Sequence, residues 1–300
     1  MTGPQVSILI PAYNPRFFAE AFASARAQKH PSFEIVVRDD SPGTLIEDCV
    51  LAANDPRVRY LRNPERLGFE GNFTQCLRDS RGELVKFLND DDRLREDCVA
   101  RLAAGFAGRP EVHLATSRRR VIDANGVPAP DIPATSPLSH VSCVMDGLEL
   151  GDVTLMNSLN LIGEPSTVMF RRADVDSETS GIFTWAGTTY HCLADLSLWL
   201  RLLTRGEAYY CAAALCEYRV HAGQEQRALG IDCITERYHL AVQGRLAGFL
   251  REPAQYRVAL ARVDAIAGAW AARPSIPDWQ RNSLAALSRS IAEELARLPS

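Results

Sequence analysis

Asn89, Asp90, Asp91 and Asp92 follow directly on an apolar run, 84–88, that reads as a β-strand. Three carboxylates at a strand's carboxyl end repel one another. Hard oxygen ligands for Mg²⁺ or Mn²⁺, shared with the phosphates of a bound substrate, are the usual reason to gather them there. The competing assignment is a helix cap with its neighbours solvated. A second cluster, Arg38-Asp39-Asp40-Ser41-Pro42-Gly43, ends the run 33–37 and offers either turn chemistry or a contact to a ribose or base. The run 6–10 ends in Pro11, Ala12, Tyr13, Asn14 and Pro15, where Tyr13 could stack on a base.

Such clusters need a scaffold that brings strand ends together. Short apolar runs at 6–10, 33–37, 58–61, 84–88 and 112–116 alternate with amphipathic stretches at 17–28, 44–53, 72–79 and 97–106. This predicts an α/β class, an open sheet flanked by helices, whose ligands sit outside the carboxyl ends of the strands. Beyond Arg118, the Asn125-Gly126 pair predicts a hairpin within 120–127, and the Pro-, Ser- and Thr-rich stretch 128–142 a mobile loop. A helix over 146–157, a strand over 167–170, a helix over 195–204 and one or two strands within 208–219 follow. Ile231, Ile234, Tyr238, Ala241, Leu246 and Phe249 keep a helical spacing, and Pro253 and Pro277 punctuate two more amphipathic segments. The expected organisation is an α/β domain over 1–225 and a helical C-terminal extension over 226–300.

In order and spacing, four elements resemble the family 2 glycosyltransferases with the GT-A fold, a match that covers about residues 5–225. They are the segment from Val6 to Asn14, Val36-Val37-Arg38-Asp39-Asp40-Ser41, Arg66-Leu67-Gly68-Phe69-Glu70-Gly71-Asn72, and Leu88-Asn89-Asp90-Asp91-Asp92. The resemblance implies an open mixed sheet and inverting sugar transfer from a nucleotide-diphosphate donor to a hydroxyl acceptor, in bacterial surface-glycan synthesis. It implies a nucleoside site at Pro11, Ala12, Tyr13, Asn14, Asp39 and Asp40, with Arg66, Gly68 and Asn72 near the nucleotide. Asn89, Asp90 and Asp91 would meet the diphosphate, and Asp90, Asp92 and His221 would hold Mn²⁺ or Mg²⁺. Asp195, four residues before the Trp of Leu198-Trp199-Leu200-Arg201-Leu202, takes the place of the general base, and Ala194 stands where the family usually has Glu. Glu164, Pro165, Ser166 and Trp199 fall on the acceptor side, and Tyr218-Arg219-Val220-His221, with Gln224, resembles the segment near the diphosphate.

Composition narrows the alternatives. With 33 basic against 37 acidic residues and a net charge of −4 over 300 residues, no global basic field argues for nucleic acid. No apolar run approaches the roughly 18 residues of a membrane span, and Pro11 stops the first apolar stretch before it could form a leader. A cytoplasmic location is expected, with peripheral contact at the inner face of the membrane as an option for a lipid-linked acceptor. The C-terminal helices are expected to pack on the α/β domain, to pair two copies, or to dock on that membrane. The 8 cysteines show no CxxC pair, so reduced, mostly buried thiols are expected rather than a zinc site. A dehydrogenase lacks its GxGxxG after the first strand. A nucleotidyltransferase would carry a Gly-rich basic loop there, and a non-catalytic nucleotide-binding module would not need Asp195.

Overall fold

Buried β-branched and aromatic residues dictate the centre of the protein, which we describe from a computed structural model covering residues 5–175, 181–223 and 230–299. All seven residues of β1 (Val6–Ala12) are buried, because the strand is paired on both edges and covered on both faces. Its neighbours are β2 (Phe33–Asp39) and β4 (Leu84–Phe87), both parallel to it, and β3 (Val58–Arg62) lies outside β2. The strand runs through Pro11, a residue with no N–H to donate, because β4 pairs only with residues 6–9 and leaves that edge open.

Beyond β4 the sheet turns mixed. β8 (Met169–Arg171) is antiparallel to β4 and to β6 (Val112–Ile122), and β6 runs parallel to β11 (Glu207–Arg219). The short strands β5 (Arg93–Leu94) and β7 (Cys143–Met145) pair antiparallel with β11, and β9 (Thr184–Trp185) and β10 (Thr188–Thr189) form a separate small hairpin. The order is β3-β2-β1-β4-β8-β6-β11-β5. The expected strand at 112–116 is thus the start of a longer one. The expected hairpin at 120–127 reduces to a turn, with Gly126 at φ +78° and a single bridge between Ile122 and Pro128.

The period-two alternation of the strands splits the core between the two faces. Ile8, Ile10, Ile35 and Val37 face α1 (Pro15–Arg26), α2 (Leu45–Ala53) and α4 (Cys98–Ala104). Leu9, Val36, Val85 and Phe87 face α3 (Gly68–Asp79), α5 (Gly147–Asn157) and α6 (Ala194–Leu203). The C-terminal helices α7 (Gly230–Leu246), α8 (Pro253–Ala271) and α9 (Asp278–Ala296) add Ile234, Leu260, Leu284 and Ile291 to that same cluster. The extension therefore has no core of its own. Among the described residues no helix is long and apolar enough to cross a membrane.

Two expectations change here. Cys192 and Cys233, 41 positions apart in sequence, form a disulfide with Cα atoms 5.2 Å apart, so the expectation of reduced thiols is corrected for this pair. Tertiary packing of α7 on the segment before α6, which no local spacing reveals, brings the pair together. The stretch 128–142 is tied to the sheet as well. Arg119 donates to the Ala134 carbonyl at 2.6 Å, and Thr135 is buried within a 3₁₀ turn, Pro133–Thr135.

Candidate active site

The carboxyl end of β1 is built by its neighbours. Asp90, just past β4, accepts from the backbone N–H groups of Tyr13 and Asn14, each at 2.7 Å, and so fixes the chain as it leaves the strand. Asn14 then caps α1 by accepting from the Arg16 N–H. Tyr13 is left exposed, with the Arg66 guanidinium 4.6 Å from its ring centroid. These two residues, Asp40, Asn63 and Glu65 line a cleft of about 280 Å³. An aromatic face, a guanidinium and a carboxylate at one cleft suit a planar base and its sugar.

Asp39 and Asp40 divide the work differently from expectation. Asp39 is fully buried and turned inward, accepting from the Ser41 N–H at 2.8 Å and from the Tyr60 hydroxyl at 2.7 Å. Asp40 borders the cleft and accepts from the Leu67 and Gly68 N–H groups at 2.8 and 2.9 Å. Gly68 is needed there because its φ of +71° lies in the left-handed region. Asn72 is also buried, donating to the carbonyls of Ala12 and Arg38. Asp39, Asp40 and Asn72 thus hold the loops, and Asp40 also borders the cleft that Tyr13 and Arg66 line.

The three aspartates likewise have separate partners. Asp92 is buried, accepting from the Ser166 hydroxyl at 2.6 Å and from the Arg219 N–H at 2.9 Å. Burial, then the charge of Asp91, push its carboxyl well above the usual range. Burial also pushes Asp90 up to about 7, against the two N–H groups that it accepts. Asp91 meets His221, Oδ2 to Nε2, at 3.0 Å. Of the expected ligand set, Asp90 and Asp92 accept from protein donors, and His221 meets Asp91 rather than either of them. Among the described residues no three His, Cys, Asp or Glu side chains form a metal-binding group. Asp91 and His221 still offer one hard oxygen and one imidazole nitrogen. That donor pair fits a divalent ion whose remaining ligands are diphosphate oxygens and water. Gln224 lies outside the described residues.

Asp195, near the start of α6, is buried without capping it. Its carboxylate accepts from the Leu196 N–H at 2.7 Å and from the Asn160 side-chain amide at 2.9 Å. Burial, then the nearby charge of Glu164, push its pKa up to about 7. That is where a general base works best near neutral pH. Glu164, whose charge acts on Asp195, is ion-paired at 2.7 Å with buried Arg119. Trp199 is buried behind the loop, its indole N–H donating to the Gly163 carbonyl. Glu164, Pro165, Ser166 and Trp199, expected on the acceptor side, are all buried.

Sequence reasoning missed Asn160, Arg119 and Lys86. Asn160 closes a turn on Gly163 through both its amide and its carbonyl, and Gly163 has φ +124°. An Asn three residues before a Gly was the available signal. Lys86 lies fully buried in β4, donating to the backbone carbonyls of Phe87 and Ser166, and burial lowers its pKa. Nothing in a run of apolar strand residues announced it.

A family model described as Glycosyl transferase family 2 matches residues 7–157, half of the chain. The chain belongs to that family. The uncharacterized protein MT1568 of Mycobacterium tuberculosis is 32% identical over 235 residues, covering 74% of this chain and 69% of that protein. The GalNAc(5)-diNAcBac-PP-undecaprenol beta-1,3-glucosyltransferase of Campylobacter jejuni is 32% identical over 103 residues, 33% of each chain. Among solved structures, S. aureus TarS 1-349 in complex with UDP-GlcNAc superposes with a TM-score of 0.58 at 16% identity. It covers 98% of this chain and 92% of that one, a likeness of fold. The glycosyltransferase thus keeps the family's sheet and strand-end clusters, with Glu164 beside Asp195 and Ala at 194.

Proposed function

We propose that this glycosyltransferase moves a sugar from a nucleotide-diphosphate donor to a glycan hydroxyl in a single displacement, with inversion. The observation that carries this reading is the loop 160–166, which joins the two halves of the site. Its Asn160 holds Asp195, and its Ser166 holds Asp92. The base cleft lies at the end of β1, and the aspartates at the end of the adjacent β4, the crevice where ligands of open α/β sheets bind.

Tyr13 and Arg66 clamp the base, and Asp40 meets the ribose. Asp91 and His221 would hold Mn²⁺ or Mg²⁺, which supplies charge neutralisation for the departing diphosphate. A carboxylate oxygen of Asp195 accepts the proton of the acceptor hydroxyl. The acceptor's hydroxyl oxygen, so deprotonated, forms its bond to the anomeric carbon as the bond to the diphosphate breaks, and the electron pair leaves with the nucleotide. The buried wall of Trp199, Pro165 and Ser166 keeps water from that side of Asp195. A lipid-linked glycan acceptor is supported by the Campylobacter relative, whose name specifies an undecaprenol-linked substrate.

Ligands that bind only the folded state raise its melting temperature, so nucleotide binding is directly testable. Among UDP, GDP and dTDP, each with Mn²⁺, one is expected to raise the Tm, and Asp91→Asn or His221→Ala is expected to lose the part that depends on Mn²⁺. No shift with any of the three from folded protein would refute the donor reading. Arg66→Ala is expected to weaken that nucleotide by roughly 3- to 30-fold in calorimetry, the worth of a partly desolvated cation–π contact. Unchanged affinity would remove the base from the Tyr13 cleft.

A further inference from the structure

We infer that Glu236, on the first C-terminal helix, is a positioning residue for Asp195, and that the helical extension is therefore part of the catalytic apparatus. The inference rests on the transferase reading above. Glu236 is buried, and its carboxylate accepts three consecutive backbone N–H groups: His191 at 2.8 Å, Cys192 at 3.0 Å and Leu193 at 2.7 Å. Those residues lead straight into α6, whose second residue is Asp195. Leu193, at the cap of that helix, makes no side-chain cap hydrogen bond of its own. The anion that belongs at this helix start is therefore delivered from a distant part of the chain, 41 residues after Asp195.

A second tether lies one turn away on α7. Cys233, three residues before Glu236 and so on the same side of the helix, is bonded to Cys192. The segment is also held from the other side, where His191 pairs with Glu70 of α3. Between these holds the backbone from 191 to 193 has little freedom, and Asp195 inherits its position. A carboxylate accepting three amide N–H groups is a charge-assisted set that a neutral amide cannot reproduce, because the amide's NH₂ would face a donor. Glu236 does not touch the reacting atoms. It acts through the backbone that aims Asp195.

The test uses the full chain and whichever of UDP-glucose, UDP-GlcNAc, GDP-mannose and dTDP-rhamnose the wild type hydrolyses, with water as acceptor, read as nucleotide release. Rates are scaled to nucleotide-binding sites, so that misfolded protein does not count. Glu236→Gln is expected to lower kcat by at least about 10-fold with KM for the donor within about twofold, as for a group misaligned away from the donor. It is also expected to move the acid limb of kcat to lower pH. A loosened Asp195 gains solvent while Glu164, Arg119 and Asn160 remain beside it. Cys233→Ser, which cuts the covalent tether and spares the carboxylate, is expected to keep kcat within about threefold. Unchanged kcat and pH profile in Glu236→Gln would overturn the inference while leaving the transferase reading intact. An equal loss in both variants would also overturn it, since attachment rather than the carboxylate would then be what counts. A folded wild type that binds none of UDP, GDP and dTDP and turns over none of the four donors would overturn the nucleotide-donor reading, and the inference with it.

Discussion

Asp195→Asn is expected to lower kcat by about 10²- to 10⁴-fold, the usual worth of a general base, while nucleotide affinity stays within about threefold. The two effects separate because Asp195 is held by Asn160 and the Leu196 N–H, whereas the nucleotide cleft is lined by Tyr13, Asp40 and Arg66. Only ionised Asp195 can accept a proton. With its pKa pushed up to about 7, kcat should fall as pH drops below that value and level off above it. Glu164→Gln should move this limb to lower pH, since it removes the neighbouring negative charge and leaves the Arg119 cation in place. A flat profile from pH 5 to 9, or an Asn variant within tenfold of wild type, would take the base role away from Asp195.

The same raised pKa affects stability. Between the ordinary value of 3.8 and about 7 the folded protein holds a proton on Asp195 that the unfolded chain releases. Stability from this group is therefore greatest at low pH and is lost as pH rises through that window. A site poised for catalysis near neutral pH carries its carboxylate at a cost to the fold.

Local pattern reveals an α/β protein well, because period-two and period-3.6 spacings are short-range properties. The strands at the centre of the sheet and the helices between them were legible for that reason. So were the clusters at the ends of β1, β2 and β4, since strand ends in such sheets point to one crevice. What each residue in a cluster does was not legible. Asp39 and Asp40 are adjacent, yet one is inside and the other at the cleft, as the alternation of a strand and the turn after it demand. Asp90 and Asp92 accept from Tyr13, Asn14, Ser166 and the Arg219 backbone, partners 74 or more positions away in sequence. The Cys192–Cys233 pair, Glu236 and Lys86 all depend on tertiary contacts that no window of sequence contains.

Arg119 carries the other large expected effect, and it acts on stability. Its side chain is 2% exposed and meets Glu164 at 2.7 Å, while its guanidinium also donates to the carbonyls of Ala134 and Asn160 at 2.6 and 3.0 Å. Arg119→Met would leave the Glu164 carboxylate buried without its cation and take a donor from two carbonyls. Breaking a buried pair from one side costs about 3–5 kcal/mol, several times the worth of an exposed pair. Urea unfolding should register a loss of that size, with the slope unchanged if only the native state is affected. Adding Glu164→Gln to Arg119→Met should restore a large part of it, because the stranded charge is then gone. That recovery distinguishes an uncompensated charge from simple loss of packing, which the second change could not repair. Since Asn160 is anchored through its carbonyl by Arg119 and holds Asp195 through its amide, the single variant should lose kcat as well. A loss below about 1 kcal/mol would instead mean that water reaches Glu164, and the acid neighbour that raises Asp195 would then be screened rather than buried.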